Sequence, residues 1–511
     1  MSHHKLSLVK ILKSAMVASA FIVTALAVFG TGSKVLALAE PDPKTTVTPV
    51  PSVTSKPTVT PSPAPRLVRR DGEYYFMSGD KYLTGWQDIE GERFYFYRSS
   101  SSKTGKAHNK GAMATGWQTI DGEKYYFYRS SSTDSGKLHT KGAMATGWQN
   151  IDGDKYFFYR YNKNTPGNSH KKGVLATGWQ SIDGARYYFF KSAKTSSGKP
   201  HKKGAMATGM QKISGEKYYF YQKTNEEHKR GQMVKGPLKY NNEVYFFDRK
   251  TGMMKKDCYV KDKGTLYALK PNGEQFAICL DAGHIGIYNQ SSTVKAYIES
   301  VFTWKFHLLL RDELKAKGFR VVLTRKSMYE AMDVDTRGTK GIGCDLFISI
   351  HSDAANDRSA DFPTAYCAVN GSCDDIGMLL AQTIQRTIGT RQAARLEHRY
   401  YPGTNDTDYW GTVRNSVAVG CPGILLEHSF HTNYHTATWL LSDSNLAKLA
   451  AAEADTLEDF YLTDLMVKSG KKKPKATPTP TPGAAVTPTP APAEAPDSPT
   501  EGFSWPFWLF D

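Results

Sequence analysis

Hydrophobic and polar positions alternate in two different ways along this chain. Between residues 67 and 256, short aromatic runs recur at a fixed interval: Trp86, Trp117, Trp148 and Trp179 lie 31 residues apart, and Met210 takes the next slot. One unit reads Thr115-Gly116-Trp117-Gln118-Thr119-Ile120-Asp121-Gly122-Glu123-Lys124-Tyr125-Tyr126-Phe127-Tyr128. Asp-Gly between two short apolar runs predicts a β-hairpin. The fixed period predicts an array, because one hairpin cannot hide its aromatic face whereas stacked neighbours can. From residue 276 onward the pattern changes to apolar runs of strand length alternating with helical stretches. Strands are predicted over residues 276–280, 319–324, 346–350 and 424–426, and helices over 298–317, 376–388 and 446–461, with Gly318 as a helix C-cap. The expected fold class is therefore an all-β hairpin-repeat solenoid over 67–256 followed by an α/β domain over 270–467. Its sheet should be mainly parallel and flanked by helices.

Candidate chemistry falls at strand ends of the second half. His284 follows the first strand, His351 ends the third and Glu427 ends the last, while Glu299 opens the first long helix. In open α/β sheets such positions converge at the carboxyl edge. Two imidazoles and one carboxylate make a zinc shell with a fourth position left for water, and a second carboxylate can serve as general base. A Glu in a first helical turn is also favoured by the helix dipole alone. His307 is expected to pack within its helix, and His428, His431 and His435 to lie behind the site or on the surface. His108, His139, His170 and His201 repeat at 31 residues among Lys and Gly, and are expected as exposed loop residues rather than a metal ladder.

Composition and charge set the context. The chain has 511 residues, 40% of them hydrophobic and 23% charged, which excludes a wholly disordered chain and a polytopic membrane protein. Lys5, Lys10 and Lys13, the apolar run 15–30 and Ala37-Leu38-Ala39 read as a secretory signal peptide over 1–39, with an uncleaved anchor as the alternative. No stable membrane span is expected after cleavage. Pro/Thr-rich segments follow over 40–66 and within 468–511, where the chain ends in an aromatic stretch. The formal net charge is +17. Residues 66–256 hold 35 Lys and Arg against 17 Asp and Glu, whereas 257–467 hold 20 against 26. The basic excess thus sits in the repeats. Export points it toward anionic wall polymers and away from nucleic acid. Cys367 and Cys373 flank Asn370-Gly371, read as a hairpin turn, and are the expected disulfide pair; Cys279 and Cys344 are expected as small buried hydrophobes.

The repeats resemble the choline- and glucan-binding cell-wall repeats, which share Gly-Trp, an Asp-Gly turn and a Tyr-Tyr-Phe strand. The resemblance implies that Trp86, Trp117, Tyr126, Trp148 and Trp179 contribute to wall binding, the ligand being choline, a glycan or, on charge, an anionic polymer such as teichoic acid. The second half resembles the zinc-dependent N-acetylmuramoyl-L-alanine amidases. The motifs that carry this are Asp281-Ala282-Gly283-His284, Glu299, Leu323-Thr324-Arg325, Ser349-Ile350-His351 and Leu425-Leu426-Glu427-His428-Ser429-Phe430-His431-Thr432-Asn433. The resemblance implies one Zn2+ held by His284, Glu299 and His351, Glu427 as the catalytic carboxylate, and peptidoglycan as substrate. It departs at Ile285-Gly286, where Gly-Gly is usual, and at Ser352-Asp353-Ala354, where Ala-Asn-Ala is usual. A secreted, wall-associated hydrolase is the expectation. A zinc peptidase on stem peptides and a non-catalytic adhesin are the alternatives.

Overall fold

The computed structural model describes residues 64–103, 107–134, 137–165, 168–194 and 200–470. The expected leader over 1–39, nearly all of the first linker and the tail beyond residue 470 lie outside the described residues.

The first half opens on a three-stranded antiparallel sheet, Arg66–Arg70, Glu73–Ser78 and Lys81–Leu83, and continues as two-stranded antiparallel pairs. The Thr115–Tyr128 unit folds as Gly116–Ile120 against Glu123–Phe127, with Gly116 opposite Phe127 and Trp117 opposite Tyr126. Both turn residues are left-handed, Asp121 at φ 51° and Gly122 at φ 81°. This is the turn whose twist matches that of its strands, and Asp-Gly adopts it at low cost. The same two-residue turn recurs with Glu90-Gly91, Ser214-Gly215, Asn241-Asn242 and Lys263-Gly264, so the array continues past Met210 and beyond residue 256.

The last aromatic of each second strand forms the spine. Phe96, Phe127, Phe158, Phe189, Phe220 and Phe247 are all fully buried. Backbone bonds staple successive hairpins. Ala145 N donates to Tyr126 O at 2.8 Å while its neighbour Met144 N donates to Arg93 O, one hairpin earlier, at 2.7 Å; Leu175 and Ala176 repeat this on Lys124 and Phe157. Among the described residues, the segments that follow the Trp86, Trp117, Trp148 and Trp179 hairpins each place a histidine against the array. Their histidines stack on the residue after the spine position: His108 on Tyr97, His139 on Tyr128, His170 on Tyr159 and His201 on Phe190, with ring centroids 3.5–3.7 Å apart. The expected exposed histidines are thus half-buried, because each lays its imidazole on a ring.

In the C-terminal domain we number elements in chain order: β1 (Ala277–Ala282), α1 (Glu299–Ala316), β2 (Arg320–Leu323), α2 (Val334–Thr339), β3 (Leu346–Asp353), β4 (Thr364–Cys367), α3 (Asp374–Ile388), β5 (Arg395–Glu397), α4 (Gly411–Ala418), β6 (Gly423–Phe430), α5 (Tyr434–Leu440) and α6 (Asp443–Lys468). The sheet order is β2-β1-β3-β6-β4-β5. Every pairing is parallel except that of β4 with β6. The sheet is therefore mainly parallel, as expected, with one antiparallel junction. Helices α1, α3 and α6 build the large core on one face. On β6, Ile424 points at α3 while its neighbour Gly423 packs against Ser416 and Val413 of α4, so alternation puts α4 on the other face. Cys367 and Cys373 do not flank a hairpin. They close β4 and precede α3, both thiols are free, and Cys373 Sγ donates to Gly423 O at 3.1 Å.

Candidate metal centre

Strand order creates the site. β1 lies between β2 and β3, so the chain leaves β1 to one side and returns on the other, opening a crevice at the carboxyl edge. His284 follows β1 in the left-handed region, φ 57°, a conformation that costs energy for a non-glycine residue. Gly283 precedes it without a side chain, and a methyl there would overlap the His351 ring. His351 and Glu427 are register partners on the parallel strands β3 and β6, so their side chains leave the same face side by side.

Glu299 joins the two imidazoles. Its Oε2 lies 3.0 Å from His284 Nε2 and its Oε1 lies 3.1 Å from His351 Nδ1. Ser352 N also donates to Glu299 Oε1 at 2.9 Å, and Asn289 holds the other oxygen. Burial would raise the Glu299 carboxyl, but the hydrogen bonds and charge of His284 and His351 overcome it and hold the group well below its ordinary range. One donor atom from each of His284, Glu299 and His351 lies within 4.8 Å of the others. His351 Nε2 and Glu427 Oε2 are buried without a partner. Two imidazoles and a carboxylate of this kind suit a zinc ion, and the orphaned nitrogen has the need of one. Burial, then Asp353 and then Glu299, push the Glu427 carboxyl well above its ordinary range.

Behind the site lies a network not singled out from the sequence. Asp281 is fully buried and receives Arg337 Nε at 2.9 Å and Nη2 at 2.6 Å, Thr324 Oγ1 at 2.6 Å and Ser349 Oγ at 2.8 Å. Thr303 of α1 donates to Gly283 O at 2.8 Å, and Arg325 donates to Ala282 O. These bonds fix the turn that carries His284. Asp281 and Thr324 belong to motifs seen in the sequence, but Arg337 sits alone in a short helix and offered no signal. His428 is fully buried rather than on the surface, bonded to His351 O and to Glu453 Oε1, both at 2.9 Å. His431 is likewise buried, against Ser352 O at 2.8 Å, whereas His435 is exposed. His307 packs as expected, with Nδ1 at 3.2 Å from Thr303 O.

In the array, Trp86, Trp117, Trp148 and Trp179 are half-buried and Tyr126 is buried. Each tryptophan meets an aromatic of its own hairpin and one of the next; for Trp117 these are Tyr126 at 5.2 Å and Tyr156 at 5.0 Å. A cavity of about 660 Å³ lies in the array, lined by Tyr159, Arg160, Lys163, His170, Trp179 and Asp183 among others.

Comparison with known proteins agrees with both halves. Residues 278–459 match the family model for N-acetylmuramoyl-L-alanine amidase. Residues 207–259 match the choline-binding repeat, and 115–130, 146–160 and 177–192 match a cell wall binding repeat. The C-terminal domain is thus an amidase-family domain, and cell-wall-binding repeats precede it. "Probable cell wall amidase LytH" of Staphylococcus epidermidis is 28% identical over 186 residues, 36% of this chain and 58% of the relative's own length. Similar solved structures include choline binding protein F from Streptococcus pneumoniae in the presence of a peptidoglycan analogue, with 22% identity, TM-score 0.29 and coverage of 44% of this chain and 58% of that one. The catalytic domain of CwlV from Bacillus (Paenibacillus) polymyxa var. colistinus has 17% identity, TM-score 0.31 and coverage of 36% and 98%.

Proposed function

We propose that this chain is an exported, wall-anchored zinc hydrolase that cleaves the amide between the lactyl group of N-acetylmuramic acid and L-alanine in peptidoglycan. The observation that carries this is the meeting of His284, Glu299 and His351 beside Glu427, in a domain matching the amidase family. His284, Glu299 and His351 would hold the ion. Bound zinc supplies Lewis-acid polarisation of the substrate carbonyl and lowers the pKa of a water. Glu427, whose ionised form a cation held by His284, Glu299 and His351 would favour, would then take a proton from the attacking water at Oε2 and return it to the leaving amine of L-alanine. Its burial keeps that proton from bulk solvent. The basic repeats hold the enzyme on an insoluble substrate and raise its local concentration there. The leader motif over 1–39 supports export.

Digestion of purified peptidoglycan by the full chain, read by mass spectrometry, tests the reading. Intact stem peptides with a free L-alanine amine should appear, vanish on chelation and return with zinc. New ends inside the stem peptide would instead make the enzyme a zinc peptidase. Glu427→Ala should lower turnover by about 10³-fold with metal content unchanged. Loss of metal from that variant would make Glu427 a ligand.

A further inference from the structure

Each tryptophan of the array already carries a cation. Arg93 lies 4.9 Å from the Trp86 ring centroid, Lys124 4.4 Å from Trp117, Lys155 4.8 Å from Trp148 and Arg186 4.7 Å from Trp179. Register explains the repetition. Trp148 faces Phe157 across the hairpin and Lys155 faces Asn150, so Lys155 is the diagonal neighbour of Trp148 on the same face. The other units place their cation identically. Aromatics close in around the same ring: Phe157 at 5.2 Å and Tyr187 at 4.9 Å from Trp148. A ring set of this kind is a receptor for a quaternary ammonium when it is open. Here the chain's own ammonium or guanidinium fills it.

Further positive charge lies close to two of these cations, Lys124 and Lys155. Burial lowers the pKa of Lys124 and the neighbouring Lys203 lowers it more; burial lowers that of Lys155, and Arg230 and Lys229 add to it. Asp154 is engaged elsewhere, by Lys202 at 3.0 Å, whereas Arg93 has Asp88 at 3.9 Å. Cations gathered in this way on one face favour a polyanion. A phosphodiester suits them because it stays ionised and offers several oxygens to Lys and Arg.

We propose that the repeats bind a phosphodiester-linked wall polymer on the tryptophan-backed cations Arg93, Lys124, Lys155 and Arg186, and offer no receptor to choline. The proposal rests on the wall-anchoring part of the reading above and not on its chemistry. The test sediments the full chain carrying Glu427→Gln, so that walls are not digested, with intact walls and with walls stripped of phosphodiester polymer by hydrofluoric acid. Retention should fall about tenfold on stripped walls, and about tenfold on intact walls when Lys124→Gln and Lys155→Gln are added. Choline chloride should neither elute the protein nor change its tryptophan fluorescence. Undiminished retention on stripped walls would overturn the proposal, as would elution or quenching by choline, which needs no variant to fold. Failure to sediment with any wall would overturn anchoring as well. Release of L-alanine amine from soluble muropeptides would then still report on the hydrolase independently.

Discussion

Asp281 shows how one residue supports the site without facing substrate. Its carboxylate is fully buried and takes four hydrogen bonds, two of them from Arg337. Burial would raise its pKa, but the Arg337 charge and the bonds from Arg337, Thr324 and Ser349 hold it below the ordinary range. A depressed folded-state pKa contributes stability that is complete above the unfolded value of about 3.9 and is lost as pH falls through the folded one. Asp281→Asn should therefore leave the pH dependence of stability unchanged between pH 5 and 8, to the extent of about a few tenths of a kcal/mol. It should flatten the loss below about pH 4. Asp281→Ala, which strands the Arg337 guanidinium in the core, should cost about 3–5 kcal/mol in a denaturant titration. Adding Arg337→Met should recover part of that. If the double variant proved as unstable as the single, charge burial would not be the cause.

Among the elements, the hairpins are the most local and were the most legible. Asp-Gly turns announced themselves because a two-residue turn needs two left-handed residues, a demand met within four positions of sequence. Asn241-Asn242 and Lys263-Gly264 meet the same demand with less typical residues and were not recognised. The spine phenylalanines give no separate signal, since most end their strands beside the more conspicuous tryptophan of the facing strand. Phe158 is fully buried beside Tyr126, Tyr156 and Leu175. Phe158→Ala should cost about 3–5 kcal/mol. Because each unit packs chiefly on its neighbours, the loss should split the melting of the array into two transitions, visible by calorimetry. A single transition shifted downward would mean that the array unfolds as one block. In the C-terminal domain, β4 and α4 were missed for a different reason. β4 is four residues long and antiparallel to its neighbour, and α4 carries no clear apolar period, so only packing on the sheet selects them.

At the scale of the molecule, the last hairpin joins the array to the C-terminal domain. Cys258–Asp262 pairs with Thr265–Leu269, and Ala268 and Leu269 are fully buried, Ala268 within the core of the C-terminal domain. Ala268 N donates to Gly318 O at 3.0 Å and Gln275 Nε2 to the same oxygen at 2.9 Å. Gly318, read from the sequence as a helix stop, is at φ 98° and leaves room for Ala268. Lys270 pairs with Asp345 at 2.6 Å and Arg320 with Glu243 at 3.3 Å. A fragment beginning at residue 270 should therefore be less stable than one beginning at 257 by about 2 kcal/mol, measured by thermal or urea unfolding. Equal stability of the two would show the hairpin to be a passive spacer.

What the sequence determined by itself was whatever depends on near neighbours. The 31-residue period, the turns, the strand–helix rhythm and the order of the motifs around His284, His351 and Glu427 all belong there. Tertiary structure alone decided which of those residues meet. His284, Glu299 and His351 converge because β1 lies between β2 and β3, and no local preference encodes that order. The hairpin docked on α1 arises the same way. Each is a contact across a register or an interface, where burial and charge are set by what the chain brings alongside.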